Sequence, residues 1–450
     1  MSASLHVAVV GAGPAGFYAA DALLRNEDPA VRVDLLDRLP TPWGLVRLGV
    51  APDHENIKAV SRAFEKTAAR PGFRFFGNVE VGSTVSHGEL LELYDAVCYT
   101  VGAQTDRRLG IPGEDLPGSW AATEFVAWYN GHPDYQDRVF DLSHERAVVV
   151  GNGNVAIDCA RMLALTAEEL APTDTTLEAI RALVGAGCRE ILMLGRRGPV
   201  QAAFTPPELK ELGELAGADV IVDPADLELD EASKRELEAD RERARRNFEL
   251  LQEYAARPAA GKPRRIVLRF RVSPLAILGD GKVEAVELVR NELVEVDGRI
   301  VARPTGETEV VPAGLVLRSV GYRGIPLEGV PFDERSGTIP NLDGRVEGAE
   351  RTYVAGWIKR GPSGVIGTNK KDAAETVAAL LEDARAGALH AGDPGDLAAL
   401  LDAKGAEYVD HAGWQAIDAA ERAAGEPLGR PRVKLTGRRE LLETGRRITP

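Results

Sequence analysis

The chain has 450 residues, of which 44% are hydrophobic and 27% are charged, a composition typical of a globular protein with more than one domain. Its formal net charge of −15 argues against nonspecific binding to nucleic acid. No apolar run is as long as a membrane-spanning helix, and the first residues, MSASLHVAVV, lack the basic start of a signal peptide. These residues instead predict a first strand that leads into a glycine turn.

The cysteines exclude two kinds of redox centre. The chain has three of them, Cys98, Cys159 and Cys188, and they form no CxxC motif. Such sparse cysteines are typical of a reducing compartment, so we expect a cytoplasmic protein. We expect neither a dithiol centre nor an iron–sulfur cluster ligated by this chain, and we predict no metal site.

The first stretch with a chemical signature is HVAVVGAGPAGFYAADALLRNEDPAVRVDLLD. A β-branched run over 7–10 predicts a strand, a helical pattern follows the glycines, and a second predicted strand over 31–36 ends in Asp37. The glycines permit a tight turn, and the N–H groups that begin the helix bind a pyrophosphate. Asp37 stands where a carboxylate accepts the hydroxyls of an adenosine ribose. The motif glycines are Gly11, Gly13 and Gly16.

A second glycine turn lies in RAVVVGNGNVAIDCARMLAL, again between a valine run and a helical pattern. The next predicted strand, over 190–194, ends in GRRGP rather than in a carboxylate. Because paired guanidinium groups bind a 2′-phosphate, Arg196 and Arg197 predict a preference for NADP over NAD. They lie further along the chain than the usual distance of about 20 residues, so 166–187 predicts an extra helical excursion. The small residues of this turn are Gly151, Gly153 and Ala156.

Two dinucleotide sites in one chain indicate a flavoprotein in which hydride passes from a nicotinamide to FAD. The first turn is then the FAD site and the second the NADPH site. Further strands are predicted over 96–101, 315–320 and 351–354, and the last of them leads into GWIKRGPSGVIGTNKK. An amphipathic helix is predicted to begin near Val365. Its N–H groups and dipole would stabilise the negative charge of a reduced flavin.

With these motifs together, the sequence resembles the adrenodoxin reductase-type ferredoxin–NADP⁺ reductases, especially the actinobacterial members. The stretches that carry the resemblance cover almost the whole chain. They are VGAGPAGFYAADALL, TPWGLVRLGVAPDH, FRFFGNVEVG, GNGNVAIDCAR, GRRGPVQAAFTPPELKEL, SVGYRG and GWIKRGPSGVIGTNK. The resemblance implies an α/β fold with two Rossmann-like dinucleotide-binding domains in a glutathione-reductase-like architecture. The FAD domain is expected in residues 1–105 and 325–450, with a C-terminal helical tail, and the inserted NADP domain in residues 106–324.

The resemblance also assigns a role to the loop TPWGLVRLGVAPDHENIK, residues 41–58. In the family this loop lies against the flavin, which makes Leu45 a flavin contact and places His54 at the junction of nicotinamide and flavin. The residues alone explain His54 equally well as a loop histidine bonded to Asp53 or Glu55. Because hydride transfer needs no general acid, His54 is at least as well suited to positioning the nicotinamide ring as to proton transfer.

Further site residues follow from the resemblance by motif. Glu208 matches an acid near the nicotinamide carboxamide, and the pair Pro206-Pro207 before it predicts a stiff approach to it. Gly364 matches a position that touches both cofactors. The implied FAD contacts are Ala15, Asp37, Leu45, Val81, Trp357, Gly364, Val365 and Ile366, beside Gly11, Gly13 and Gly16. The implied NADP(H) contacts are Asn152, Gly153, Asn154, Val155, Arg196, Arg197, Glu208 and Gly364.

The implied electron acceptor is a ferredoxin or a similar acidic iron–sulfur protein, so a local basic patch is expected despite the net charge. Lys210 matches a basic position that contacts the partner in relatives. The run EADRERARRNFELL adds further cations, but a solvated helix with i,i+4 ion pairs explains it equally well. We expect a monomer, and we expect Trp414 in the tail to be a core residue. The arginines of the run are Arg241, Arg243, Arg245 and Arg246.

The expected activity is therefore that of a ferredoxin–NADP⁺ reductase. An NADPH-dependent flavin monooxygenase shares the two glycine turns and is the alternative enzyme. The missing CxxC disfavours a disulfide reductase, and the missing cluster cysteines disfavour a glutamate-synthase-like subunit. The alternative from another class is a nonenzymatic NADP-responsive flavoprotein that switches a binding partner, which predicts tight NADP binding with little turnover.

Overall fold

The computed structural model describes residues 4–240, 242–364, 366–389 and 395–446. The chain divides into two compact units. The first unit comprises Met1–Thr105, Asn130–Gln136 and Gly321–Pro450, and the second comprises Asp106–Tyr129 and Asp137–Val320. Asn130–Gln136 lies within the stretch expected as the insertion, yet it belongs to the first unit.

The strands are numbered in chain order. They are β1 Leu5–Val10, β2 Val31–Asp37, β3 Phe73–Gly77, β4 Ala96–Tyr99, β5 Thr105–Asp106, β6 Ser119–Ala121, β7 Arg146–Val150, β8 Glu190–Gly195, β9 Ala218–Val222, β10 Arg264–Phe270, β11 Val272–Leu278, β12 Ala285–Val296, β13 Arg299–Pro312, β14 Leu315–Arg318, β15 Tyr322–Arg323, β16 Asn341–Leu342, β17 Arg345–Val346 and β18 Thr352–Val354.

The α-helices are numbered in the same way. They are α1 Pro14–Leu24, α2 Leu45–Leu48, α3 Glu55–Lys58, α4 Ser61–Ala68, α5 His87–Leu93, α6 Ala122–Tyr129, α7 Asn154–Ala164, α8 Ala167–Leu170, α9 Leu177–Val184, α10 Pro206–Leu212, α11 Glu231–Ala239, α12 Arg243–Ala256, α13 Trp357–Arg360, α14 Thr368–Arg385, α15 Leu397–Ala403, α16 His411–Gly425 and α17 Arg438–Thr444.

The first unit is built on a sheet with the strand order β16-β17-β18-β4-β1-β2-β3. Five of these strands are parallel to one another, namely β18, β4, β1, β2 and β3. The short strands β16 and β17 pair antiparallel at one edge. Alternate residues of β1 face opposite sides of the sheet, as a strand requires. Val7 and Val9 pack with Phe17 of α1, whereas Ala8 and Val10 pack with Leu90 of α5. Both faces are therefore covered, and Trp414 is buried in the first of these cores, as predicted.

The second unit has a parallel sheet with the order β6-β14-β7-β8-β10-β9. Helix α7 covers one face, where Ile157 and Leu163 are fully buried with Val149. A separate antiparallel sheet, β11-β12-β13, packs its apolar residues against the other face. The parallel strands at the centre of both sheets confirm the predicted α/β class, with the carboxyl ends of β1 and β7 leading into the two glycine turns.

Most predicted elements are present, with two differences. The helix expected near Val365 begins at Thr368, because the turn before it contains Gly364 at φ +79° and Gly367 at the N-cap. Val365 itself lies outside the described residues. The charge pattern of residues 230–246 predicts one solvated helix, but the structure has two helices there, α11 and α12. Between them, the Asp240 side chain accepts a hydrogen bond from the Arg243 N–H at 3.1 Å.

The excursion predicted over 166–187 contains the short helices α8 and α9. The Thr166 and Thr176 side chains cap these two helices by accepting backbone N–H hydrogen bonds. In the described part of the chain, no helix is both long and apolar enough to cross a membrane.

Candidate dinucleotide-binding sites

In the first glycine turn, protein atoms leave no space for a Cβ at two of the glycines, whereas space remains beside the third. A Cβ on Gly11, whose φ is +109°, would lie 2.7 Å from the carbonyl of Thr100. A Cβ on Gly16 would lie 2.0 Å from the Gly11 oxygen. The nearest described atom to a Cβ on Gly13 is the Cα of Gly44, at 4.0 Å. The turn itself therefore requires Gly11 and Gly16, whereas Gly13 leaves room for the close approach of a ligand.

Asp37 at the end of β2 fixes the turn and retains acceptor capacity. Its carboxylate accepts hydrogen bonds from the N–H groups of Ala12 at 2.8 Å and Leu39 at 2.9 Å. Burial raises the pKa of the carboxyl, while these N–H groups and the charges of Arg38 and Arg438 oppose the rise. Each carboxylate oxygen has a further lone pair, so Asp37 fits a ribose with two hydroxyl donors.

The loop 41–58 begins beside this turn. The Trp43 N–H donates to the Ala12 oxygen at 2.7 Å. Gly44, at φ +51°, passes so close to Gly13 that a Cβ would lie 2.9 Å from the Gly13 Cα. Helix α2 follows at once, and its first residue, Leu45, is 36% exposed. The structure thus brings the loop and the glycine turn together, with a large apolar side chain left accessible.

His54 is held at the start of α3 by its backbone. Its N–H donates to the Ala51 oxygen at 3.0 Å, and its own oxygen accepts from the N–H groups of Ile57 and Lys58 at 3.1 and 3.2 Å. The side chain is 8% exposed. This is a fixed position, which suits a residue that orients a substrate ring.

The segment before α13 completes the site in the first unit. A Cβ on Gly356, at φ +81°, would lie 2.7 Å from the Cβ of Ala15, so this segment contacts the first turn of α1. The Gly356 N–H donates to Asp372 of α14 at 2.5 Å. The Trp357 indole N–H is buried and finds no acceptor among the described residues. These features fit a flavin, which offers acceptor oxygens and nitrogens at its edge.

The remaining expected FAD contacts lie in the same unit. Val81 is buried just beyond β3, and Ile366 is half-buried against the core formed with α1. Gly364 is in the left-handed region. Sequence reasoning missed Gly356 and Asp372. The glycine that begins GWIKR is a visible signal, but nothing local connects it to an aspartate on the next long helix.

The second glycine turn has the same design as the first. A Cβ on Gly151, at φ +140°, would lie 2.1 Å from the Ser319 oxygen, whereas a Cβ on Gly153 would have no described atom within 4 Å. Gly153 is also the N-cap of α7 and has no side chain to cover the helix N-terminus. The third small residue, Ala156, is fully buried. The open N-terminus of α7 is therefore suited to a pyrophosphate.

Two asparagines of this turn hold the segment that precedes α10. The Asn152 oxygen accepts from the N–H groups of Ala203 at 2.9 Å and Phe204 at 3.1 Å. The Asn154 side chain accepts from the Thr205 N–H at 2.8 Å. Val155 is half-buried against the core of this unit. Asn152 and Asn154 are thus tied to this segment by hydrogen bonds.

The arginine pair follows β8 directly. Arg196 is exposed and Arg197 is half-buried. Their oxygens accept from Asn291 at 3.0 Å and from the Arg271 N–H at 2.9 Å, which fixes the backbone. Burial, and then the positive charge of Arg196, lower the pKa of Arg197. This concentration of positive charge fits a 2′-phosphate.

Glu208 lies in the first turn of α10, and Pro206 and Pro207 begin that helix as its stiff first residues. The residue is buried, at 9% exposed, and its carboxylate lies 3.9 Å from the Arg161 guanidinium of α7. Arg161 is also 3.0 Å from Glu211. Arg161 thus lies within ion-pair distance of both glutamates, and sequence reasoning had not singled it out.

The expected docking cations carry ion pairs along their own helices. Lys210 is 3.4 Å from Glu214, and Arg245 is 3.3 Å from Glu249. Arg246 shares Glu249 at 3.2 Å. These are the pairs that the solvated-helix interpretation predicts. Arg241 lies outside the described residues.

The chain is similar to known reductases in sequence and in structure. Residues 5–193 match the family model described as pyridine nucleotide-disulphide oxidoreductase. The chain is 54% identical over 452 residues to NADPH-ferredoxin reductase FprA of Mycobacterium tuberculosis, covering 98% of this chain and 99% of that one. It is 41% identical over 462 residues to the mitochondrial NADPH:adrenodoxin oxidoreductase of Arabidopsis thaliana, covering 98% and 95%. A solved structure of M. tuberculosis FprA in complex with NADPH is similar with a TM-score of 0.95 and 53% identity, covering 98% and 100%.

Proposed function

The chain belongs to the adrenodoxin reductase-type ferredoxin–NADP⁺ reductases, and on that premise we propose how its residues perform the family's reaction. It is an FAD-dependent oxidoreductase that takes a hydride from NADPH onto the flavin and passes single electrons to a ferredoxin-type iron–sulfur protein. The observation that carries this function is the repeated turn design. Gly11 and Gly151 are each closed by backbone, while Gly13 and Gly153 each leave ligand space.

The first unit provides the residues that bind FAD and position the nicotinamide ring. In the first unit, Gly13 and the start of α1 bind the pyrophosphate of FAD, Asp37 accepts the ribose hydroxyls, and the Trp357 indole donates to the flavin edge. His54 positions the nicotinamide ring. The support for these roles is the cluster of contacts that joins the glycine turn to the loop 41–58 and to Gly356.

In the second unit, the N-terminus of α7 binds the pyrophosphate of NADPH, and Arg196 and Arg197 bind its 2′-phosphate. Glu208, which lies 3.9 Å from the Arg161 guanidinium, accepts a hydrogen bond from the nicotinamide carboxamide. The division of the chain into two units supports an FAD domain in residues 1–105 and 325–450 with the NADP domain inserted between them, except that Asn130–Gln136 and residues 321–324 fall in the first unit.

An anaerobic mixing experiment tests the proposed reaction. The protein, loaded with FAD, is mixed with NADPH while the visible absorbance of the flavin is followed. Rapid bleaching is expected, with slower bleaching by NADH. Tight NADPH binding without bleaching would favour the nonenzymatic alternative instead.

Two alanine substitutions separate the roles of the glycines in the second turn. Gly151→Ala should lower the free energy of unfolding by about 2 kcal/mol or more, because the new methyl group would clash with the Ser319 oxygen and the φ angle of this residue is positive. Gly153→Ala should leave the Tm unchanged and weaken NADP⁺ binding about tenfold, because its methyl occupies ligand space only. Calorimetry measures both quantities. Equal losses of stability in the two variants would show that Gly153 is not part of the NADP site.

For the partner, we propose that an acidic iron–sulfur protein docks near Lys210 and Arg245, whose side chains are largely exposed. Lys210→Glu should lower kcat/KM for ferredoxin about fivefold at low salt and much less at high salt. Lys282→Glu, an equal charge change at another exposed position of the same unit, is the control. Equal effects of the two variants would contradict this placement.

We also propose a cytoplasmic location and a monomeric state. The three cysteines are free and buried, which supports a reducing compartment. Sedimentation of the FAD-loaded protein tests the oligomeric state.

A further inference from the structure

A buried ion pair joins the loop 41–58 to the C-terminal tail, within the first unit. Arg47 lies in α2 of the loop, and Glu421 lies in α16. The guanidinium donates to both carboxylate oxygens, at 2.8 and 2.5 Å. The two side chains are 3% and 0% exposed. This geometry is bidentate, so it fixes direction as well as distance.

The tail holds Glu421 from the other side. Arg432 is a second cation, 3.2 Å from the same carboxylate, and the Leu435 N–H donates to it at 2.9 Å. Burial raises the pKa of Glu421, but the charges and hydrogen bonds of Arg47 and Arg432 outweigh burial and keep it below the ordinary value. The carboxylate is therefore ionised and has donors on several sides.

Aromatic rings extend the same contact. Trp43 of the loop and Trp414 of the tail meet edge to face, with ring centroids 4.9 Å apart. The Arg47 guanidinium lies 5.4 Å from the Trp414 ring, and that of Arg432 lies 5.8 Å from the Trp43 ring. The Lys434 ammonium donates to the Arg47 backbone oxygen at 3.1 Å. Side chain, ring and backbone of the loop are thus all held by one segment, residues 414–435.

We propose that Glu421 is a positioning residue, which holds α2 through Arg47 and so sets where Leu45 and the loop 41–58 lie against the flavin. The inference rests on the proposed function, which puts this loop beside the flavin. A buried ion pair adds little stability over an apolar pair of equal volume, but it specifies one arrangement. Arg47 is two residues from Leu45, in the same short helix. A shift of the helix therefore moves the flavin contact directly.

The test is Glu421→Gln in the full, FAD-loaded protein. The amide keeps the volume but loses the charge, so the loop is expected to shift. We expect the flavin to be reduced about tenfold more slowly at saturating NADPH, with little change in the NADPH concentration needed for half the maximal rate. We also expect an altered visible circular dichroism spectrum of the bound flavin, which reports its surroundings without turnover.

Asp34→Asn is the matched control. Asp34 is also buried and charged in the first unit, and it binds Arg74 at 2.6 Å and Tyr94 at 2.6 Å, away from the loop. This variant should lose stability as Glu421→Gln does, yet keep the spectrum and the rate. If Glu421→Gln does not fold, Arg47→Lys is measured instead. An unchanged spectrum and rate in Glu421→Gln or its substitute Arg47→Lys would overturn the proposal, as would equal changes in Asp34→Asn. If NADPH does not reduce the flavin of the wild-type protein, the proposed function itself is overturned.

Discussion

Replacing Arg196 and Arg197 together by glutamine is expected to lower the preference for NADPH over NADH about 100-fold or more, because each arginine forms charge-assisted hydrogen bonds worth about 1.5–3 kcal/mol. Their backbone oxygens accept hydrogen bonds from Asn291 and Arg271, which fixes where the two side chains begin. Activity with NADH should change little, since NADH has no 2′-phosphate. The measurement is the ratio of kcat/KM for the two cofactors.

The control for this prediction is Arg181→Gln. Arg181 is an exposed arginine of α9 in the same unit, so its loss removes one positive charge from the surface, half of the change made by the double substitution. It should leave the ratio unchanged. If the double substitution also left the ratio unchanged, the 2′-phosphate would bind elsewhere.

Truncation of His54 to alanine is expected to slow reduction of the flavin by NADPH about 100-fold, because loss of ring positioning removes the near-attack geometry of the hydride. FAD should stay bound, since the glycine turn and Asp37 are untouched. The side chain is 8% exposed and its backbone is hydrogen-bonded at the start of α3, so the histidine is held in one place. Rapid mixing measures the rate, and flavin absorbance after gel filtration measures bound FAD.

His144→Gln serves as the control for His54. His144 lies in the second unit, where it pairs with Asp141 at 3.0 Å. Its replacement should leave the rate unchanged. A wild-type rate in the His54 variant would return this residue to the simpler interpretation, a histidine that only stabilises its loop.

Local sequence patterns predict the strands and helices that flank the glycine turns of both units. The valine runs, the glycine turns and the helices after them are short-range signals, and β1, α1, β7 and α7 follow them. The start of α14 was placed too early, because the apolar pattern continues through a turn that the glycines keep out of the helix.

Long-range pairs could not be predicted from one sequence. Arg47 and Glu421 are separated by 374 positions, and Gly356 meets Ala15 from the far end of the chain. Nor does any local signal assign Asn130–Gln136 to the first unit, where Asp134 binds Arg38 at 2.5 Å and Arg438 at 2.9 Å. Such contacts depend on the packing of distant elements, which periodicity and motif spacing do not encode.

The most direct test of the central claim is NADPH-driven reduction of cytochrome c, measured with and without added ferredoxin. The account predicts strong stimulation by ferredoxin, because the flavin delivers single electrons to an iron–sulfur carrier. Rapid NADPH oxidation without stimulation by either of two different ferredoxins, together with a long-lived oxygen adduct of the flavin, would contradict it and favour a monooxygenase.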